Sequence, residues 1–509
     1  MNHYDLIVIG GGITGAGIFR EAAAMGLSVL LLEGDDFSSG TSGRSSKLVH
    51  GGLRYLKQGH LHLTMDSVRH RERLMKEMPG LVTELAFLMP LYRDGGPSVL
   101  QMKAGLFLYD LMAGKQRHAF ENPESIHLAL PGMRREKLSG AFIFHDAQVD
   151  DSRLVLRLIR EACCHEKAFA LNYTRVTALA KNKEGRVTGV CTHDRESGEK
   201  RKYFAPLVIN ATGVFSAKLH PLPSKKLHIR PLRGSHLVFS SRLLPLKTAV
   251  SFFHPHDRRP VFLIPWEGAL IFGTTDEDST LKDAENPVIT RDEVLYLLTA
   301  LTHLFPDAGF SEKNILSTFA GLRPVVTESM VKKPSQESRE HIVWQAPGLI
   351  SVTGGKLTTF RKLAWDTLKL GCRQRHLPLP DVKTPVVKAF APPCPPELDP
   401  KLWKLLCGRY GSDAQYLETK NPALLETIPG TRHILAEIPL VCRDASIRHL
   451  DDLLLRRLRL GLVLAGGGMD IMDDIRDLAL PVLGWRLKKW EHEVLRYKEL
   501  WQKNHGVPR

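Results

Sequence analysis

The chain has 509 residues, a 43% apolar and a 25% charged fraction, which excludes wholesale disorder and predicts two or three domains. Seventy Lys and Arg against 55 Asp and Glu leave a formal +15, concentrated between Arg201 and Pro260, where eleven cations meet only Asp257. No apolar run is long enough for a membrane span, and seven cysteines without a Cys-x-x-Cys pair point to reduced thiols and no structural metal. The opening MNHYDLIVIGGG carries no basic, cleavable leader, so no secretory signal is expected.

Tyr4 to Ile9 reads as a buried parallel strand, followed by Gly10, Gly12 and Gly15 in Gly-x-Gly-x-x-Gly order and an alanine-rich helix to Met25. A second strand, Leu27 to Leu32, ends in Glu33. The parts are those of a dinucleotide-binding unit. Gly10 allows the tight turn, Gly12 the approach of a pyrophosphate, and Gly15 close packing of helix on strand. The helix N-terminus offers N–H groups and its positive dipole end to phosphate. Glu33 can accept ribose hydroxyls. Placement at the N-terminus favours FAD over NAD.

Next stands Thr41-Ser-Gly-Arg-Ser-Ser-Lys-Leu-Val-His-Gly-Gly-Leu-Arg-Tyr-Leu56. Ile209-Asn-Ala-Thr-Gly213, Gly234-Ser-His236, Gly273-Thr-Thr-Asp276, Gly321-Leu-Arg-Pro324 and Thr353-Gly-Gly-Lys-Leu-Thr-Thr-Phe-Arg-Lys362 follow in order. Together these stretches resemble the FAD-dependent glycerol-3-phosphate dehydrogenases, over nearly the whole chain. Val214-Phe215 departs from the Trp more usual in that family, and there is no calcium-loop extension of the mitochondrial kind. The resemblance implies an α/β fold: a Rossmann-type FAD-binding domain of the glutathione-reductase and amino-acid-oxidase type, interleaved with a mixed-sheet substrate cap, plus an all-α C-terminal domain. The expected divisions are 1–80, 140–220 and 345–385 for FAD, 90–139 and 221–340 for the cap, and 391–509 for the helical domain.

Several elements are also legible on their own. Val149-Asp-Asp-Ser152 makes an N-cap ahead of Leu154, Val155, Leu158, Ile159 and Ala162 at helical spacing. Leu237 to Phe239, Val261 to Ile264 and Leu270 to Phe272 read as cap strands. Ala391-Pro-Pro-Cys-Pro-Pro396 marks the last boundary. Asp451 and Asp452 are placed to cap a helix over Leu453 to Leu462. Leu487, Trp490, Val494, Tyr497 and Trp501 form a helical stripe among six cations, which suits packing against its own domain or an acidic bilayer.

The resemblance implies oxidation of glycerol 3-phosphate, the C2 hydride going to FAD and the electrons to a membrane quinone, with an oxidase using O₂ or an amino-acid-oxidase-type activity as alternatives. Phosphate calls for arginine forks, and Arg54 and Arg323 are the leading candidates, with Arg339 behind them and Tyr55 as a hydroxyl donor. His236 is the best base on chemistry. Lys356 belongs at the active site, to steady a reduced ring or reach substrate, and Asp276 can orient a base or bind a substrate hydroxyl. Cofactor contacts are expected from Gly10, Gly12, Gly15, Glu33, Thr41, Ser42, Ser45, Ser46, Lys47, His50, Gly51, Ala211, Thr212, Gly213, Gly354, Gly355, Leu357 and Thr358. No metal ligand is expected. A basic nucleic-acid-binding flavoprotein is the reading of another class, and lacks any recognised module. A cytoplasmic protein is expected, peripheral on the inner face of the membrane, and a homodimer is compatible with the sequence.

Overall fold

The computed structural model describes residues 2–53, 61–115, 117–328, 340–375, 377, 379–390, 392–444 and 446–508. Three layers position the site. The first is a six-stranded sheet in the order His341–Ala346, Leu349–Gly354, Val208–Asn210, Leu6–Ile9, Val29–Leu32, Ala168–Leu171. All its pairings are parallel except the first. Ile7 lies between Val208 and Leu30, so the chain turns from the central strand into the helix Ile13–Ala24 at the point where the strand order reverses. That is where an open parallel sheet leaves a crevice for a ligand. The strand side chains are buried on both faces, as their unbroken apolar runs require. The helices Ile13–Ala24, Asp151–Cys163 and Phe360–Arg375 belong to this layer. Asp150 caps the second of them, accepting the Arg153 N–H at 3.0 Å.

The second layer is a ten-stranded sheet containing Val82–Tyr92, Leu138–Val149, His228–Ser240, Ala249–Phe253, Pro260–Trp266, Ala269–Gly273 and Ile315–Thr327. Leu138–Val149 pairs along its length with Val82–Tyr92, so the two strands leading back toward the nucleotide layer belong to the large sheet. A division at residue 140 runs through one of them. The helix Arg291–Leu304 covers one face, and Glu293, buried at its start, accepts from Ser235 Oγ at 2.9 Å and Thr275 Oγ1 at 2.6 Å. It thereby ties the strand His228–Ser240 to the loop that follows Ala269–Gly273, beside His236.

The third layer is helical, from Pro400–Tyr410 to Leu487–His505. Its apolar side chains merge with Phe87, Phe142, Val238, Ile271 and Phe319 of the large sheet into one core. In the last helix Trp490, Tyr497 and Trp501 are buried; Tyr497 donates to the Gly467 carbonyl at 2.7 Å and Trp501 to Gly461 at 2.6 Å. The aromatic stripe therefore packs inward. Asp451 and Asp452 do not cap a regular helix. Residues Asp452–Arg457 form π-helical turns that end at Arg459, whose φ is +61°. Asp452 accepts from the Arg448 and His449 N–H groups and from Tyr173 Oη at 2.6 Å, and it pairs with Arg456. Arg456 and Arg457 both close on Asp36 in the nucleotide layer. Among the described residues no helix is long and apolar enough to cross a membrane, and no cluster of three metal-ligating side chains occurs.

Candidate active site

A cavity of about 1770 Å³ runs between the nucleotide layer and the large sheet. It exceeds the roughly 300–1,000 Å³ of pockets for drug-sized ligands, leaving room for a dinucleotide and a second small molecule. Its nucleotide end is lined by Gly10, Gly12, Glu33, Thr41 and Ser42 from the first strand–turn–helix unit and its following loop. Ala211, Thr212 and Gly213 join from the strand Val208–Asn210, and Gly354, Gly355, Leu357 and Thr358 from the loop after Leu349–Gly354.

Gly10 holds φ +109°, and a Cβ there would come within 2.6 Å of the Ala211 carbonyl oxygen. Gly15 does not line the cavity. A Cβ on it would overlap the Gly10 carbonyl oxygen, so it serves helix–strand packing. Gly12 is the helix N-cap and brings no side chain to it; the Ile13 N–H instead donates to Ser42 Oγ at 2.8 Å. Glu33 accepts from the Gly11 N–H at 2.6 Å and from the Asp35 N–H at 2.9 Å. Burial, reinforced by the charge of Asp36, pushes its carboxyl up to about 7. A bare glycine approach at a helix N-terminus and a carboxylate at the end of the second strand are the set that a dinucleotide such as FAD requires.

The cavity is also lined by His236, Asp276 and Arg323, and by Lys356 from the loop that carries Gly355 and Leu357. His236 projects from His228–Ser240, its ring 4.5 Å from Phe319 and nearly parallel to it. Its Nε2 lies 2.8 Å from Ser46 Oγ, while its buried Nδ1 has no partner among the described residues. Burial holds the imidazole pKa well below 6.5, with Lys47 and Arg323 adding to the shift, so the ring is neutral. Arg323 donates to Asp276 Oδ1 at 2.8 Å, and Arg259 lies 3.4 Å from Asp276 Oδ2. Asp276 thus bridges two arginines. Lys356 donates to Ser67 Oγ at 3.2 Å.

The loop 41–47 departs in part from expectation. Ser45 and Ser46 line the cavity, but the Ser45 hydroxyl donates to Asp151 at 2.7 Å and Ser46 meets His236. Lys47 turns its ammonium away from the cavity into a buried pair with Asp151 at 2.8 Å and the Gly43 carbonyl at 2.9 Å. Burial lowers Lys47 to about 7, helped by Arg459. Its expected pyrophosphate contact is therefore corrected: the charge serves the loop. Gly51 likewise does not line the cavity. Its N–H donates to Asp146 at 2.9 Å, and a Cβ there would overlap Tyr109. His50 lines the cavity, its carbonyl accepting from Thr358 at 3.4 Å. Arg54, Tyr55 and Arg339 lie outside the described residues. Arg259 and Thr274 line the cavity and were not singled out from sequence; the signal for Arg259 was its place at the end of the basic stretch.

Residues 5–361 match the model of the FAD dependent oxidoreductase family. The chain is 37% identical to the aerobic glycerol-3-phosphate dehydrogenase of Bacillus subtilis over 71% of its length and 65% of that protein's, just under two-thirds. It is 33% identical to glycerol-3-phosphate dehydrogenase 2 of Mycobacterium tuberculosis, over 97% of this chain and 87% of the other. The chain belongs to the FAD-dependent glycerol-3-phosphate dehydrogenase family. Membership makes it an enzyme, an oxidoreductase whose cofactor is FAD, and the cavity beside the nucleotide turn offers the space and the backbone approach for that cofactor. The fold agrees. A glycerol-3-phosphate dehydrogenase from Bacillus halodurans, solved with FAD, superposes with a TM-score of 0.74 over 99% of this chain and 95% of the other at 24% identity. The L-alpha-glycerophosphate oxidase of Mycoplasma pneumoniae superposes with a TM-score of 0.56 over 73% and 95% at 18% identity.

Proposed function

We propose that this flavoprotein oxidises sn-glycerol 3-phosphate to dihydroxyacetone phosphate and delivers the electrons to a membrane quinone. The observation that carries the reading is the convergence of His236, Arg323 and Lys356 on the cavity that also holds the nucleotide turn. Bound FAD supplies the acceptor for the C2 hydride. Arg323, its fork pinned by Asp276, holds the phosphate, and Lys356 adds a second positive charge to the cavity. His236, kept neutral by burial, takes the C2 hydroxyl proton on Nε2, where Ser46 Oγ now sits. Phe319 stacked on the ring fixes its plane and excludes water from one face.

The quinone reading draws support from the helix Val99–Ala113. Met102, Gly105 and Leu108 line the cavity, while Leu100, Phe107 and Leu111 on the outer face are 76%, 59% and 68% exposed. An apolar face of this kind beside a substrate cavity suits the interfacial zone of a bilayer, and the inward packing of Trp490, Tyr497 and Trp501 withdraws the last helix from that role.

The test is anaerobic. Mixing the yellow protein with sn-glycerol 3-phosphate is expected to bleach the oxidised-flavin band, whereas glycerol alone leaves it unchanged. A band that persists in FAD-replete protein overturns the substrate. Peroxide formed in stoichiometric yield on admitting air, with no quinone reduction, would replace quinone by O₂.

A further inference from the structure

The basic stretch between 201 and 260 supplies more to the cavity than charge in general. Arg230 is paired with Asp278 and Arg233 with Glu293, so neither is available to a ligand in the same way. Lys218, Arg258 and Arg259 line the cavity. Arg258 is engaged with the Asp94 carbonyl at 2.8 Å. Arg259 sits immediately before the strand Pro260–Trp266, in the turn that joins it to Ala249–Phe253, and its backbone carbonyl accepts the His254 N–H at 2.8 Å. Its guanidinium makes a single ion-pair contact among the described residues, 3.4 Å from Asp276 Oδ2, on the opposite oxygen from Arg323.

The burial of the three side chains differs in a telling way. Asp276 is 2% exposed, Arg259 20% and Arg323 22%. The carboxylate therefore lies behind and the two forks lie toward the cavity. Two guanidinium groups share this one carboxylate, which fixes the spacing of two rigid, planar donors before any ligand arrives. A tetrahedral dianion matches such a pair, because each fork can take two of its oxygens. A neutral polyol gains little from it.

We propose that Arg259 is a second phosphate-binding residue of the substrate site, set beside Arg323 by their common partner Asp276. The assignment rests on the phosphorylated substrate argued above, and the experiment separates the two. FAD-loaded wild type, Arg259→Ala and Arg259→Lys are titrated calorimetrically with inorganic phosphate, and each is followed for anaerobic bleaching by sn-glycerol 3-phosphate. Arg259→Ala is expected to weaken phosphate and raise KM about 10- to 100-fold, the loss of a charge-assisted contact, with kcat changed by no more than about twofold. Arg259→Lys should recover part of both. Should the alanine variant not retain FAD, the lysine variant carries the comparison, since it keeps the charge and loses the fork. Unchanged phosphate affinity and KM in the variants overturn the proposal, as does a fall in kcat alone. Wild type that binds phosphate but is not bleached by the substrate, with phosphate lost in the alanine variant, supports the anion site and removes the substrate assignment. Wild type that binds no phosphate overturns the anion site itself.

Discussion

Glu33 meets the nucleotide turn with each carboxylate oxygen already accepting one backbone N–H. Each retains a lone pair for a ribose hydroxyl, but only while the group is ionised. Burial and Asp36 push it up to about 7, so the cofactor-free site takes up a proton within the working range. FAD binding then has to expel that proton. Affinity of the deflavinated protein for FAD should fall as pH drops from about 8 to about 6, approaching tenfold per unit on the acid side. Glu33→Gln should bind more weakly and show a flat profile; a flat profile in wild type would contradict the linkage. His236 makes a different case. Its depressed pKa keeps it neutral at pH 7, ready to accept. His236→Ala should retain FAD yet slow anaerobic bleaching by about 10²- to 10⁴-fold, the usual contribution of a positioned base. Bleaching at the wild-type rate would return the proton to another group.

At the scale of elements, the loop 41–47 shows what a linear reading reaches. Its glycine, serines and lysine look like a phosphate cradle, and Thr41, Ser42, Ser45 and Ser46 do line the cavity. Lys47 does not, because its partner Asp151 stands 104 residues away at the start of a helix whose cap was legible, and Arg459 of the helical layer shares that carboxylate at 3.0 Å. Burial by itself would raise Asp151, but the two cations outweigh it and hold the carboxyl below its usual range. Asp151→Asn takes the nearest anion from both cations, leaving Arg459 only Asp150 at 3.7 Å, and is expected to cost about 3–5 kcal/mol, read as a lowered denaturant midpoint. Because the folded carboxyl ionises more readily than the unfolded one, this stabilisation is present above the usual carboxylate range and lost as pH falls through the depressed value. The wild-type advantage over the variant should therefore shrink in acid. The helix Val99–Ala113 gives the complementary lesson: its leucines, methionines and aromatics are spread around it with only Gln101, Lys103 and Asp110 between them, so no periodic stripe announced its outer face. Phe107→Asp with Leu111→Asp should abolish flotation with anionic vesicles and slow quinone reduction, while bleaching by substrate stays as in wild type. Unchanged vesicle binding would move the contact elsewhere.

Across the whole molecule, the strand–turn–helix units and the order of the site motifs were readable because each depends on neighbours within a few residues, as at Gly10, Asp150 and Gly354. The merging of layers was not. Ala391-Pro-Pro-Cys-Pro-Pro396 reads as a boundary, yet beyond it Leu453, Leu458 and Trp490 share one core with Phe87, Val238 and Phe319. Arg456 and Arg457 close on Asp36, and Arg459 on Asp151 and the Gly43 carbonyl. All three arginines are buried, so pulling the helical layer away would expose an apolar face, strand Asp36 without its cations and leave Asp151 with Lys47 alone. Separate domains would unfold in separate steps; this coupling predicts one. Four of the seven tryptophans, Trp403, Trp485, Trp490 and Trp501, lie in the helical layer, whereas flavin fluorescence reports the nucleotide cavity. On equilibrium denaturation the tryptophan signal and the release of FAD should show coincident midpoints. Arg456→Met should lower both together, because it removes one of the two arginines that tie Asp36, leaving Arg457, without touching the cavity wall. A tryptophan transition that clearly precedes FAD release would mean that the helical layer stands apart, and that its arginines decorate the cofactor loops rather than hold them.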